Sequence, residues 1–119
     1  MIIRTNLLFP GIAGITIWPV IFVRPEYESP RLIQHERIHL RQQIEMLLIP
    51  FYLWYLIEWL IRMVKSCLIN YQSDANWFAE AWDNAYRAIS FEREAYTFDK
   101  MPDYLKHRKY FYWLKYVLK

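Results

Sequence analysis

The sequence predicts one α+β domain of 119 residues, mainly helical, with a small N-terminal β-hairpin or sheet packed on a long helix and three or four further helices. Three observations carry this. The chain is 55% hydrophobic and 19% aromatic with only 2 Gly, too apolar for disorder and too poor in glycine for a protein built mostly of hairpins. Runs of β-branched residues are confined to the first 24 positions. Beyond them, helix-start signals recur: Ser29-Pro30, a polar break at 70–74, and Met101-Pro102-Asp103.

Taken in order, Ile15-Thr16-Ile17-Trp18 and Val20-Ile21-Phe22-Val23 read as short strands within a strand region 1–24, with Pro19 marking an edge position or a break. Residues 25–30 form a loop. Ser29 is placed as N-cap and Pro30 at the first helical position, where its missing N–H costs nothing. The helix that follows should span 30–49 and kink or end at Pro50. A second, apolar helix is expected over 51–66. Ser73 or Asp74 should cap a third that reaches about Ala88 and then continues, or restarts at Ser90, within a region 74–99. A last basic amphipathic helix is expected over 102–118, running from Tyr104 to Leu118 with Leu105, Phe111, Leu114 and Leu118 on its apolar side.

Charge is divided unevenly. Residues 1–100 carry 10 basic and 11 acidic side chains, whereas 101–119 carry Lys106, Arg108, Lys109, Lys115 and Lys119 against Asp103 alone. A basic tail of this kind suits water or anionic lipid, and nothing in it reads as nucleic-acid recognition. The single cysteine, Cys67, excludes an internal disulfide and a cysteine metal cluster, and is expected as a small buried hydrophobe. Residues 5–23 are uncharged and follow Arg4, yet Pro10, Gly11, Gly14 and Pro19 punctuate them and no clear small-residue cleavage site follows. Residues 46–57 are uncharged too, short of the roughly 18 apolar residues of a clean membrane span. A buried core helix is the first expectation there. Membrane-surface contact through 46–62 and 104–118 is the second, so the chain is expected to be cytoplasmic or membrane-associated.

The motif with chemistry in it is His35-Glu36-Arg37-Ile38-His39. Histidines four residues apart lie about one helical turn apart, so both imidazoles leave the same face and can offer nitrogens to one Zn²⁺ at roughly 2.0–2.1 Å. Glu36 is rotated about 100° from His35 and can reach a metal-bound water without itself being a ligand. Zinc lowers such a water's pKa toward about 7, and the carboxylate accepts its proton as it attacks a carbonyl. A catalytic zinc takes three protein ligands and keeps one open position. His107 stands among Lys106, Arg108 and Lys109 and is expected to be solvated. Carboxylates remain, and Glu92 and Glu94 are the best placed.

This motif, followed by a helix bearing Phe91-Glu92-Arg93-Glu94-Ala95-Tyr96, resembles the gluzincin branch of zinc metallopeptidases, including the HtpX-type membrane proteases and the ImmA-type phage-repressor peptidases. In that branch the third ligand is a glutamate on a downstream helix, in the pattern E-x-x-x-D and often E-x-x-A-D. The resemblance implies a minimal zincin-like fold holding one Zn²⁺ through His35, His39 and Glu92, with Glu94 the alternative third ligand and Ala95 where two helices approach. It implies Glu36 as catalytic base and a peptide or protein as substrate. Tyr96 stands where the family has an aspartate that orients a ligand histidine, so its hydroxyl or another group takes that role.

Tyr86, Tyr96 and Tyr104 are candidates for polarising the substrate carbonyl. Gln42 and Gln43 continue the metal-facing stripe and either hold a ligand, bind substrate or face solvent. Glu58 should pair with Arg62 four residues on. Residues 15–23 offer the one sheet edge to which a peptide could add. The alternative function is a catalytically inactive zincin-fold protein used for binding or for interaction at a membrane. Glu36 favours the enzyme, because a structural site needs no base, while the chain's length leaves little room for substrate subsites.

Overall fold

The computed structural model describes residues 1–8, 11–70 and 77–117. Three short strands, β1 (Ile2–Arg4), β2 (Gly14–Ile17) and β3 (Val20–Val23), form a sheet in the order β1-β3-β2. β1 runs parallel to β3, with Ile2 opposite Ile21, and β2 runs antiparallel to it, with Thr16 opposite Ile21. Pro19 lies in the turn joining β2 to β3 and so breaks the chain between strands. Alternation sorts the side chains: Thr16, Ile21 and Val23 are buried on one face, while Ile3, Ile15 and Ile17 are exposed on the other.

Helix α1 spans Pro30–Glu45 and lies on the buried sheet face. Its start follows the expected chemistry: Ser29 is extended and its hydroxyl accepts from the Leu32 N–H at 3.1 Å. Its end comes earlier than Pro50. Leu47 and Leu48 take left-handed φ angles of 57° and 70°, and the chain turns by 114° into α2, Ile49–Asn70. Pro50 stands in the first turn of α2, where an absent N–H leaves no hydrogen bond unmade. The apolar helix is thus longer than expected at both ends.

Helix α3 spans Trp77–Ala88 and α4 spans Ser90–Phe98; the Ser73 or Asp74 cap falls outside the described residues. The break between them has a cause on α2. The buried Glu58 carboxylate accepts from the Ser90 N–H at 2.8 Å and its hydroxyl at 2.6 Å, and so caps α4 from a neighbouring helix. Arg62 also pairs with Glu58, at 3.0 Å, as the spacing predicts. Ala81 and Ala85 let α3 pack closely on α2 beside Met63, Trp59 and Cys67. A second apolar cluster joins Phe51, Ile89, Phe91 and Trp113.

The long C-terminal helix is not formed. α5 covers only Tyr104–His107, and a 3-10 helix covers Tyr112–Tyr116. The cause is Arg108, whose side chain is 1% exposed and ion-paired with both Glu45 and Glu94. The Phe111 N–H donates to Glu45 at 2.9 Å, with Phe111 itself left-handed at φ 57°. Two buried carboxylates thus draw the backbone inward, and helical periodicity yields to them.

Candidate metal centre

α1 buries an unusual face: Gln34, His35, Glu36, His39, Gln42 and Gln43, with Ile38 the lone apolar member. α4 brings Glu92 against it. His35 Nε2 lies 3.0 Å from Glu92 Oε1, and His39 Nε2 lies 3.0 Å from Glu92 Oε2. The two imidazoles stand edge to face with centroids 4.9 Å apart. His35, His39 and Glu92 are all buried and form a group that can hold a metal ion.

The tautomers follow from the far sides of the rings. His35 faces a carboxylate from each ring nitrogen, Asp99 Oδ2 at 3.1 Å from Nδ1 and Glu92 Oε1 at 3.0 Å from Nε2; with Nδ1–H donating to Asp99, Nε2 is left as a ligand atom. His39 Nδ1 is 2.8 Å from Gln42 Oε1. Gln42 Nε2 donates to the Phe91 carbonyl and to Glu94 Oε1, each at 3.0 Å, so its Oε1 must accept and His39 Nδ1 must donate. In this pair of tautomers both Nε2 atoms turn lone pairs toward one carboxylate. Bare, such an arrangement is repulsive and requires a cation at its centre.

A proton or a metal can serve. Burial alone would keep His39 neutral, but the nearby charge of Glu92, with the charge of Glu36 and the Gln42 contact, lifts its pKa to about 9. Burial likewise favours a protonated Glu92, yet His39 and His35 hold its carboxyl well below the usual range. A proton satisfies the centre poorly all the same: despite its 3.0 Å distance from Glu92, His39 Nε2 makes no hydrogen bond, because the approach is off the ring N–H direction. A buried, misdirected nitrogen beside two other donors is what a metal ligand looks like. The separations are close to the roughly 3.3 Å between neighbouring ligands of a tetrahedral ion with bonds of about 2.05 Å. Two imidazoles and a carboxylate fit a divalent metal.

The other expected residues fall on different sides of this centre. Glu36 is buried on the adjoining face of α1, where its Oε2 accepts from the Thr16 hydroxyl at 2.6 Å. Its charge reaches His39 and Tyr86. Gly14 permits this approach, since a Cβ there would stand 3.3 Å from Glu36 Oε1 and 3.3 Å from the Phe22 carbonyl oxygen. Glu94 lies apart from the centre. Fully buried, it accepts from Gln42, from the Tyr104 hydroxyl at 2.5 Å and from Arg108. The structure thereby puts both Glu94 and Tyr104 in an ionic network that meets the centre through Gln42. Tyr96 packs its ring on His35 at 4.5 Å between centroids.

At Tyr86, burial first, then the charges of Glu92, Tyr96 and Glu36, push the hydroxyl pKa far up and keep it protonated. Tyr55, which donates to Glu92 Oε2 at 2.9 Å, continues the same cluster.

Three residues take roles that local spacing alone does not assign: Asp99, Gln42 and Gln43. Asp99 does for His35 what the expected aspartate would have done, and Arg31 steadies it at 3.0 Å. Its signal was its place seven residues after Glu92, two helical turns along the same face. Of the three roles open to Gln42 and Gln43, facing solvent is excluded because both are buried, and Gln42 holds His39. Gln43 donates to the Thr16 carbonyl and accepts from the Trp18 N–H, both at 2.8 Å, so it covers part of the β2 edge a peptide would use. His107 is exposed, as expected. A cavity of about 460 Å³ lined by Arg31, Arg87, Arg93, Tyr96, Thr97 and Tyr116 opens on the Tyr96 side of the centre. No known protein family, curated protein or solved structure matches this chain.

Proposed function

We propose that the chain is a zinc-dependent peptidase, with His35, His39 and Glu92 holding the ion and Glu36 acting as base. The observation that supports this most is the convergence of two Nε2 lone pairs on Glu92, each imidazole locked from behind by Asp99 or Gln42. Bound there, zinc would polarise a carbonyl and acidify a water. The remaining steps belong to the protein. Glu36, held by Thr16 through one oxygen, keeps the other for a proton. Tyr86, kept protonated, supplies a hydrogen bond to an oxygen that gains negative charge. Gly14 leaves the space in which Glu36 approaches β2.

The test is Glu36→Gln. Metal content near one equivalent in both proteins, with peptide hydrolysis falling by about 10²–10⁴-fold in the variant, is the expected result. Unchanged hydrolysis would sink the assignment of the base, and metal-free protein after metal-replete purification would sink the centre.

The burial of Glu36 and all three ligands, at 2–6% exposed, favours a second reading: a metal-stabilised scaffold used for binding. Wild-type protein that retains zinc, melts higher with it and cleaves no peptide would decide for the scaffold.

A further inference from the structure

The outward face of α2 is apolar along its whole described length. Ile49, Leu53, Leu56, Ile57, Leu60, Ile61, Val64 and Leu68 recur at spacings of three and four, and each is 48–79% exposed. They form a continuous stripe about 30 Å long at 1.5 Å per residue. The helix buries its opposite face, with Phe51, Glu58, Met63 and Ser66, against the rest of the protein. Monomeric soluble proteins rarely expose patches of this extent.

The stripe continues into the bend before α2. Leu47 is 80% exposed there in a left-handed conformation that glycine would adopt without strain. A large aliphatic side chain is held out at the apex at a conformational cost, so the exposed leucine has a use.

The margins of the stripe say what covers it. Tyr52 and Trp54 flank its first half. The C-terminal segment lies along the same flank, with Trp113 packed on Trp54 and Arg62 donating to the Val117 carbonyl oxygen at 3.1 Å. That segment exposes Tyr110, Phe111 and Leu114 among Lys106, Lys109 and Lys115. Across α2 and residues 104–117, Lys65 and these three lysines are the exposed Lys and Arg side chains, and no acid is exposed. Amphipathic aromatics and snorkelling lysines beside an aliphatic ridge match the boundary between headgroups and acyl chains. A two-fold pair of chains would instead set like charges against each other. Among the described residues no single helix is long and apolar enough to cross a membrane, and Glu58 and Arg62 point inward, so the helix suits the plane of the surface.

We propose that this chain docks on an anionic lipid bilayer, with α2 lying in the interface and the aliphatic stripe from Leu47 to Leu68 entering the acyl region. This does not depend on the metal centre. The test is flotation of the full chain with vesicles of phosphatidylcholine alone or mixed with phosphatidylglycerol, with brominated acyl chains to quench tryptophan. Expected are co-flotation with the anionic vesicles, quenching, weaker binding in high salt, and a loss of at least about tenfold in Ile57→Glu/Ile61→Glu.

Far-UV spectra and a cooperative melt check the fold of that variant; Ile57→Trp, which keeps the face apolar, should retain binding. Protein that stays in the aqueous phase with both vesicle types overturns the proposal. So does a dimer that persists with vesicles and dissociates in Ile57→Glu/Ile61→Glu, which would assign the stripe to a second copy. Equal, salt-independent binding to both vesicles would overturn its electrostatic half.

Discussion

Helices α1 and α2 meet at one bend and obey opposite rules. α1 turns two histidines, a glutamate and three glutamines into the protein and buries one aliphatic residue among them. α2 presents eight large aliphatic side chains to the outside. An inverted pair of this kind shows where folding energy is not the governing constraint. A buried polar face is tolerable only when its donors and acceptors are matched, and on α1 nearly every one has a named partner. An exposed apolar face contributes nothing to folding and makes sense only against something outside the chain.

The largest expected effect tests whether the polar interior is held together by its ionic network. Arg108 neutralises Glu45 and Glu94, with all three side chains 0–3% exposed. Arg108→Ala should destabilise the protein by about 3–5 kcal/mol, because it strands two carboxylates that water does not reach. Urea unfolding measures this. A loss below about 1 kcal/mol would mean that solvent enters the interior and that the contrast with α2 is overdrawn.

Next comes the support behind the metal centre. Asp99→Asn keeps the shape but removes the charge that fixes His35 Nδ1–H. Zinc affinity, read by competition with a chromophoric chelator, should fall about 10–100-fold, while Glu94→Gln, which reaches His39 only through Gln42, should change it less. Equal losses in the two variants would show that Gln42 carries as much support to the ligands as Asp99 does.

Protons compete with the metal. The His39 pKa is raised from 6.5 to about 9, against the pull of burial, mainly by Glu92. In the metal-free chain this stabilisation is complete below about pH 6.5 and is lost as pH rises through 9. The matching share from Glu92, whose pKa is lowered, is present above 4.5 and lost in acid. Metal binding must expel the His39 proton, so apparent affinity should rise about tenfold per pH unit from 6.5 and level off near 9. A flat profile between pH 7 and 8.5 would show that His39 enters the reaction already neutral.

Elements governed by local chemistry were legible in the sequence: the Ser29 cap, the strands on either side of Pro19, and the helical spacing of His35 and His39; whether the chain continued or restarted at Ser90 was decided by Glu58, 32 positions earlier. What could not be read depends on partners far along the chain. Arg108 looks like one more basic tail residue until Glu45, 63 positions earlier, draws it inward and ends the helix. Gln42 and Gln43 look like surface polars until the Phe91 carbonyl and the β2 edge take up their amides. Asp99 was passed over because a local five-residue pattern pointed at Tyr96, though the same α4 face continues to it. The choice of Glu92 over Glu94 rested on the resemblance to gluzincins; the geometry that brings Glu92 to the histidines is a tertiary fact and no spacing contains it.

The smallest expected effect lies on α2. Ile57 and Ile61 are 56% and 63% exposed, so Ile57→Gln or Ile61→Gln in dilute, lipid-free solution should shift unfolding free energy by no more than about 0.5 kcal/mol. The same change in the buried Ile38, which has no exposed surface, would remove core packing and bury an amide. A large loss at Ile57 would mean that the stripe is already covered in solution, and protein concentration then tells by what. A melting temperature that rises with concentration in wild type but not in Ile57→Gln identifies a second copy. A concentration-independent melt with little loss leaves the face bare, and an inverted helix with a bare apolar face is one that folds first and finds its partner afterwards.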